Sequence, residues 1–153
     1  MNIIIKYTLI SIFFSISLLS CLKKNQDPYL WVKTLPKPWS LSEAKFEKLL
    51  PEFHKKYPDF HQRLMAINIW RMGTPYKAFC LGEEGGVDRD PLIRVDSSDC
   101  TIHVLTSIVF AESHSWENAR ELMVKLHYKL ITKESTPNYS SRWHFTSDRI
   151  LNH

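Results

Sequence analysis

The residues of this sequence whose types and spacing could do chemistry centre on one cysteine, Cys100, which stands between a polar run and an apolar one. Asp99 comes directly before it, where a helix N-cap accepts hydrogen bonds from the N–H groups of the first turn. Cys100 is then the first helical residue, and the positive end of the helix favours a thiolate there. Because the charge of Asp99 opposes this effect, a nucleophilic Cys100 also needs a histidine partner that holds the thiolate as an ion pair.

A structural role for Cys100 is the alternative. Free cysteine is among the residues most often buried, so a cysteine at the head of an apolar helix can serve only to fill space. Residues 101–111 are apolar nearly all round, which is typical of a central buried helix. The residues alone therefore leave both interpretations of Cys100 open.

The elements that must position this helix are predicted to be mainly helical as well. The spacing of Ser40 and Glu43 is that of a capping box and predicts a helix start, with Pro51 interrupting or restarting that helix. Asp59 and Ser115 are predicted to open two further helices. Between the second and third of these elements, the run LGEEGGVDRD predicts an exposed loop or hairpin tip.

The N-terminal residues predict export. Residues 7–19 form an apolar run that is too short for a comfortable membrane span of about 20 residues, but it is typical of a secretory signal. The run ends in Leu-Ser-Cys, which resembles the lipobox of bacterial lipoproteins, so we expect cleavage before Cys21 and acylation of its sulfur. An uncleaved anchor helix is the alternative. The predicted organisation is a signal peptide over residues 1–20, a tether and extended arm over 21–40, and one domain over 41–153.

The amino-acid composition indicates which classes of ligand and partner the protein is expected to bind. The net charge is +4 over 153 residues, with Lys and Arg spread along the chain, so nucleic acid is not indicated. Cysteine and histidine do not cluster at metal-ligand spacing, so neither a metal nor another cofactor is expected. In an oxidising compartment a disulfide between Cys80 and Cys100 is conceivable, although a helix-start cysteine has the other use described above.

Three elements of the sequence stand in the order and spacing of a bacterial envelope family. They are MGTPY at residues 72–76, DCT at 99–101 and SRWHFTSD at 141–148. They resemble the G-x-PY, DCTTFVE-like and SRLHYxSDW-like signatures of the N-acetylmuramoyl-L-alanine amidase-like family, or domain of unknown function 1460. The resemblance covers about residues 42–151, and three elements in order are fairly specific.

The resemblance implies a fold and a chemistry. The fold is α+β, of the papain-like, NlpC-type class, with mainly its N-terminal helical half present in this chain. Cys100 is implied to be the nucleophile that hydrolyses an amide bond in muropeptides through a thioester. Arg142 and His144 are implied to line or support the cleft, with His144 as a possible base, and Tyr76 to lie beside it.

The sequence also departs from that family. NlpC-type enzymes carry their base on a strand after the cysteine helix, whereas His103 lies within that helix and is expected to pack there. The chain ends where the strands of the family should begin, so a C-terminal truncation is expected. Three functions therefore stay open. The first is a cysteine-dependent amidase or peptidase anchored in the envelope, and the second is a truncated, non-catalytic envelope lipoprotein that binds wall fragments. The third is a plain helical surface lipoprotein whose match to the family motifs is accidental.

Overall fold

The structure, a computed structural model, describes residues 27–129 and 136–152. The chain divides into two compact units, Met1–Trp31 and Val32–His153. In the described part of the first unit, the carboxylate of Asp27 accepts a hydrogen bond from Tyr29 N at 2.9 Å. The predicted signal peptide and the predicted lipidation site, Cys21, lie outside the described residues.

The described residues are mainly helical. The α-helices are α1 (Leu30–Thr34), α2 (Glu43–Lys56), α3 (Phe60–Arg71), α4 (Cys100–Glu112), α5 (Trp116–His127) and α6 (Thr146–Asn152), and short 3-10 helices lie at Pro38–Ser40 and Tyr139–Ser141. None of the helices in the described ranges is long and apolar enough to span a membrane.

Two of the predicted helix starts are confirmed by their caps. The carboxylate of Asp59 accepts from Gln62 N at 2.9 Å at the start of α3. The hydroxyl of Ser115 accepts from Asn118 N at 3.0 Å at the start of α5. These bonds satisfy first-turn donors that have no partner within the helix.

Helix α2 differs from its prediction at both Ser40 and Pro51. The capping box is not formed, because the helix begins one residue after Ser42 and Ser40 instead donates to Lys37 O within the 3-10 turn, at 2.7 Å. Pro51 lies inside the helix without ending it. The missing N–H costs one hydrogen bond, but the helix buries large apolar side chains on both sides of the proline, which outweighs that loss. These side chains are Phe46, Leu50 and Phe53.

The core lies among α2, α3, α4 and α5. Helix α4 packs against the other three, as predicted for a central buried helix. The ring of Phe46 lies at the centre of an aromatic cluster, with Trp70, Phe110 and Trp116 at centroid distances of 5.4, 5.1 and 5.1 Å. The aromatic core therefore fixes the helix whose first residue is Cys100.

The predicted α+β, papain-like fold class is wrong for residues 27–129 and 136–152. Extended segments meet there only at isolated bridges, and no strand or sheet is formed; the bridges join Tyr76 to Ser98, Gly85 to Asp88 and Tyr128 to Arg142. The segments are too short for a ladder, because Pro75 precedes the bridge at Tyr76, a glycine turn encloses the bridge at Gly85, and Tyr128 and Arg142 each directly follow a helix. The prediction came from the family resemblance and had no alternating strand pattern behind it.

Candidate active site

Cys100 is exposed at the first position of the 13-residue helix α4, and its thiol is free. Cys80 is buried, and its S–H group donates to Ser97 O at 3.8 Å, so no disulfide joins the two cysteines. Because Cys100 is exposed, it does not fill a position in the core. Its thiol is accessible to a ligand.

Asp99 serves two backbone N–H groups at once. Its Oδ1 accepts from Ile102 N at 2.9 Å, which caps α4, and its Oδ2 accepts from Phe79 N at 3.1 Å. Phe79 has a φ of 53° and is 89% exposed. A bulky residue rarely adopts this left-handed conformation, and such strain is often found at functional sites. Asp99 thus holds an exposed aromatic ring next to the start of the cysteine helix.

The segment around Tyr76 runs beside the residues that precede Cys100. Tyr76 and Ser98 form a parallel bridge, in which Lys77 N donates to Ser98 O at 3.2 Å and Ser98 N donates to Pro75 O at 2.9 Å. The side chain of Tyr76 is exposed. The first sequence element, at residues 72–76, is therefore bonded through Pro75 to Ser98, the residue directly before the second element at 99–101.

Cys100 is part of the lining of an open apolar groove of about 460 Å³. The groove lies between α4, α5 and α6, and its apolar lining consists of Val104, Leu105, Ile108, Leu126 and Ile150. We call it the apolar groove. It offers a ligand hydrophobic contact next to the thiol.

A second cavity of about 160 Å³ adjoins the same helix start, and we call it the cationic pocket. It brings together Arg142 and His144 of the third sequence element with Asp99, and it also includes residues that the sequence did not single out, namely Phe79, Leu81, Ile102, His127, Trp143 and Arg149. Thr101 and Arg149 line both the groove and the pocket. The two cavities therefore share part of their walls, and Thr101 in that shared wall directly follows Cys100.

Arg142 is an anchor for the pocket wall. Its guanidinium forms ion pairs with Glu83 and, at 3.0 Å, with Asp88. The side chain of Glu83 is only 4% exposed, so the acidic run predicted as an exposed loop is partly buried against Arg142. Burial by itself would lower the pKa of Arg142, but its hydrogen bonds to Glu83 and Asp88 raise that pKa. The charge of Arg142 is thus neutralised within the protein.

His127 and Arg149 form a buried pair that sequence reasoning missed. Arg149 Nη2 donates to Trp143 O and, at 3.2 Å, to His127 Nδ1. His127 is 5% exposed, and burial, followed by the charges of Arg149 and Arg142, lowers its pKa to about 3. Because a guanidinium can only donate, the imidazole is neutral with its proton on Nε2. Two signals in the sequence could have indicated this pair. His127 lies one helical turn after Met123 in the buried stripe of α5, and Arg149 stands where the resembled family has tryptophan.

The remaining histidines near the cysteine helix have different surroundings. His144 is exposed, and its ring lies 5.1 Å from that of Tyr139. His103 is half-buried within α4, where burial and the charge of Arg71 lower its pKa. Within residues 27–129 and 136–152 the thiol of Cys100 has no hydrogen bond to an imidazole. The geometry thus places an exposed free thiol next to two adjoining cavities, and no imidazole is hydrogen-bonded to that thiol in the described residues.

Comparison with known proteins defines the class to which these features belong. A family model described as AmiA-like, N-acetylmuramoyl-L-alanine amidase-like, matches residues 67–153, which include all three sequence elements. The chain belongs to this family, as the sequence predicts. The relationship to NlpC-type peptidases and the C-terminal truncation stay predictions.

One solved structure is similar to this chain in both sequence and fold. The crystal structure of protein LPG0564 from Legionella pneumophila, which carries the domain of unknown function 1460, is similar at 30% sequence identity and a TM-score of 0.58. The match covers 72% of this chain and 36% of the Legionella chain, so this chain spans little more than a third of that protein's length. The search of curated proteins gave no match.

Proposed function

We propose that the protein is an exported envelope lipoprotein that hydrolyses an amide bond in peptidoglycan fragments, with Cys100 as the nucleophile. The observation that carries the proposal is the exposed, free thiol at the start of α4, which lines the apolar groove next to a residue shared with the cationic pocket. Family membership supports a peptidoglycan-related substrate. The signal peptide over residues 1–20 and the lipid on Cys21 belong to the proposal and rest on the sequence.

The helix start supports the oxyanion step of this chemistry. Ile102 N is taken by the side chain of Asp99, and His103 N donates to the carbonyl of Asp99 at 2.9 Å. The N–H groups of Cys100 and Thr101 therefore remain to donate hydrogen bonds to a substrate. When the thiolate attacks the carbonyl carbon of the substrate amide, these two groups stabilise the negative charge that forms on the carbonyl oxygen. The S–C bond then forms, the C–N bond breaks, the leaving amine takes a proton, and water converts the thioester to a carboxylic acid and the free thiol.

His144 is the imidazole that we propose as the base. Of the two imidazoles that line the cationic pocket, His127 is held neutral with its Nδ1 lone pair directed at Arg149, so it is poorly placed to accept a proton. His144 is exposed and keeps both ring nitrogens for proton transfer. Arg142 and Tyr76 have supporting roles in this mechanism, as a wall anchor and as a cleft residue.

Hydrolysis of purified muropeptides by the full chain tests the proposal. We expect release of an amine or a peptide fragment, detected by chromatography and mass spectrometry, and complete loss of that release in Cys100→Ser. Cys80→Ser is the matched control, because it makes the same atomic change at a buried thiol and is expected to retain activity. Equal turnover by the parent protein and Cys100→Ser would remove Cys100 from the mechanism.

A second candidate function is binding of wall fragments without hydrolysis. It is favoured by the thiol of Cys100, which has no hydrogen-bonded imidazole among the residues that the structure describes. In this case the parent protein and Cys100→Ser both bind muropeptides with the same affinity, and neither releases a product. The same set of variants therefore separates the two functions.

A further inference from the structure

Two histidines are stacked at the opposite end of α4 from Cys100. His54 lies in the last turn of α2, and His114 lies in the turn between α4 and α5. Their ring centroids are 3.6 Å apart at an interplanar angle of 25°, so the two imidazoles are in direct contact through their faces. Neither residue lines the apolar groove or the cationic pocket, and the proposed mechanism uses neither of them.

His54 also binds the end of α4 directly. Its Nε2 donates to Ser113 O at 3.0 Å, and Ser113 is the C-cap residue of α4. Because a carbonyl oxygen can only accept, the neutral ring carries its proton on Nε2, and acid adds a second proton at Nδ1. We call His54, Ser113 and His114 the histidine clasp. The clasp joins α2 to the end of the helix that begins with Cys100.

The charged groups that act on His54 are both basic. One is Arg63 of α3, which donates to a carbonyl oxygen in the last turn of α4, and the other is His114 when it is protonated. None of these three residues forms an ion pair with an acid in residues 27–129 and 136–152. The acids that flank His114 in the chain, Glu112 and Glu117, are exposed, so solvent screens their charge. A second proton on the stack therefore meets mainly positive charge.

Opposing effects decide the pKa of His54. Burial, then the charge of Arg63 and then that of His114 lower this pKa, and together they outweigh the hydrogen bond to Ser113 O, which raises it. The pKa of His54 is therefore below its ordinary value in the closed clasp. Opening removes the burial and the ring contact, so the opened clasp binds protons more readily than the closed one. The closed clasp is fully stable above about pH 6.5, the ordinary pKa of histidine, and loses stability as the pH falls below it.

We propose that the histidine clasp is an acid-sensitive switch, which holds the C-terminal end of α4 against α2 near neutral pH and releases it when both imidazoles are protonated. The stacked geometry carries this inference, because two rings 3.6 Å apart accept one charge but oppose a second. The switch does not depend on the chemistry proposed for Cys100. Since Cys100 is the first residue of α4, acid loosens the support of the helix that carries the thiol.

Hydrogen–deuterium exchange of the full chain at about pH 7.5 and about pH 5 tests the switch. After correction for the intrinsic effect of pH on exchange, we expect the protection of residues 110–114 to fall about tenfold in acid, the factor that corresponds to one pKa unit. Residues 104–108, in the middle of the same helix, are the internal reference and are expected to lose less protection. Unchanged protection of residues 110–114, or an equal loss in both segments, would overturn the proposal.

Two variants assign the effect to the stacked rings. His114→Phe keeps an aromatic ring on the stack but removes its proton-binding site, so we expect normal protection at neutral pH and little loss in acid. His61→Gln removes an exposed imidazole of α3 outside the clasp, and it is expected to lose protection in acid as the parent does. An equal acid-induced loss in His114→Phe and the parent would mean that protonation elsewhere, such as at the buried His127, causes it, and would contradict the switch.

A second measurement decides the matter if circular dichroism shows that His114→Phe does not fold. Nuclear magnetic resonance titration of the parent follows the imidazole Cε1–H signals of the clasp. We expect its two protons to bind in two separated steps, because the first charge on the stack opposes the second. Binding of both protons in one shared step at the ordinary pKa of histidine would refute the switch.

Discussion

Replacement of Asp99 tests the architecture of the site, because one carboxylate serves both the cysteine helix and the Phe79 loop. The bonds are to Ile102 N at 2.9 Å and to Phe79 N at 3.1 Å. Loss of an N-cap side chain typically costs about 1 kcal/mol, and a second hydrogen bond contributes a further ~1 kcal/mol. Asp99→Ala is therefore expected to lower the free energy of unfolding by about 2 kcal/mol.

Asp59 provides the matched control for this experiment. It caps α3 through the single bond to Gln62 N, so Asp59→Ala is expected to cost about 1 kcal/mol. Asparagine is as good an N-cap as aspartate but has one acceptor oxygen instead of two. Asp99→Asn should therefore lose about 1 kcal/mol, while Asp59→Asn loses close to none.

Urea titration followed by far-ultraviolet circular dichroism measures these four changes, with the free energy taken from the midpoint and the slope. The double role of Asp99 predicts an alanine penalty about twice that of Asp59. Equal alanine penalties at the two positions, together with an unaffected Asp99→Asn, would refute a stabilising bond from Asp99 to the Phe79 loop.

Three further outcomes are expected. Phe46→Ala, which empties the centre of the aromatic cluster, should lower the free energy of unfolding by about 3–5 kcal/mol in the same urea assay; a loss below 1 kcal/mol would contradict the packing. The pKa of His127 is lowered to about 3 in the folded state, so the unfolded state binds a proton at this residue first as the pH falls. The contribution of His127 to the free energy of unfolding is therefore complete above about pH 6.5. It falls by about 1.4 kcal/mol per pH unit towards pH 3. Unfolding at a series of pH values should show a shallower fall in His127→Gln, and identical slopes would argue against a buried neutral ring. Iodoacetamide should modify Cys100 and spare Cys80 in the folded protein, as mapped by peptide mass spectrometry, and equal labelling would contradict their burial.

Local signals explain which parts of the fold could be predicted from the sequence. Asp59 and Ser115 mark helix starts because their capping bonds reach only three residues along the chain. The central position of α4 followed from a helix that is apolar nearly all round. At Pro51 the local rule failed, because burial of side chains on both sides of the proline decided the outcome and depends on partners elsewhere in the chain.

The candidate site was predictable only where it coincides with a motif. Cys100, Arg142 and His144 came from the three sequence elements, whereas His127 and Arg149 are 22 residues apart and meet only through tertiary packing. The burial that lowers the pKa of His127 is likewise a property of the assembled helices. The prediction of an α+β fold was wrong because it came from the family resemblance alone. The residues themselves show no alternating strand pattern, and the described residues form only isolated bridges.

The anchoring of Arg142 has a consequence for how this sequence can change over generations. Arg142 faces Glu83 and Asp88, which lie 59 and 54 residues earlier. Losing the arginine alone leaves two acids facing each other, one of them almost buried, and an uncompensated buried charge costs about 3–5 kcal/mol. We therefore expect a change of Arg142 to be tolerated best together with a neutral residue at position 83, which links changes in the acidic loop to changes in the motif that shapes the pocket.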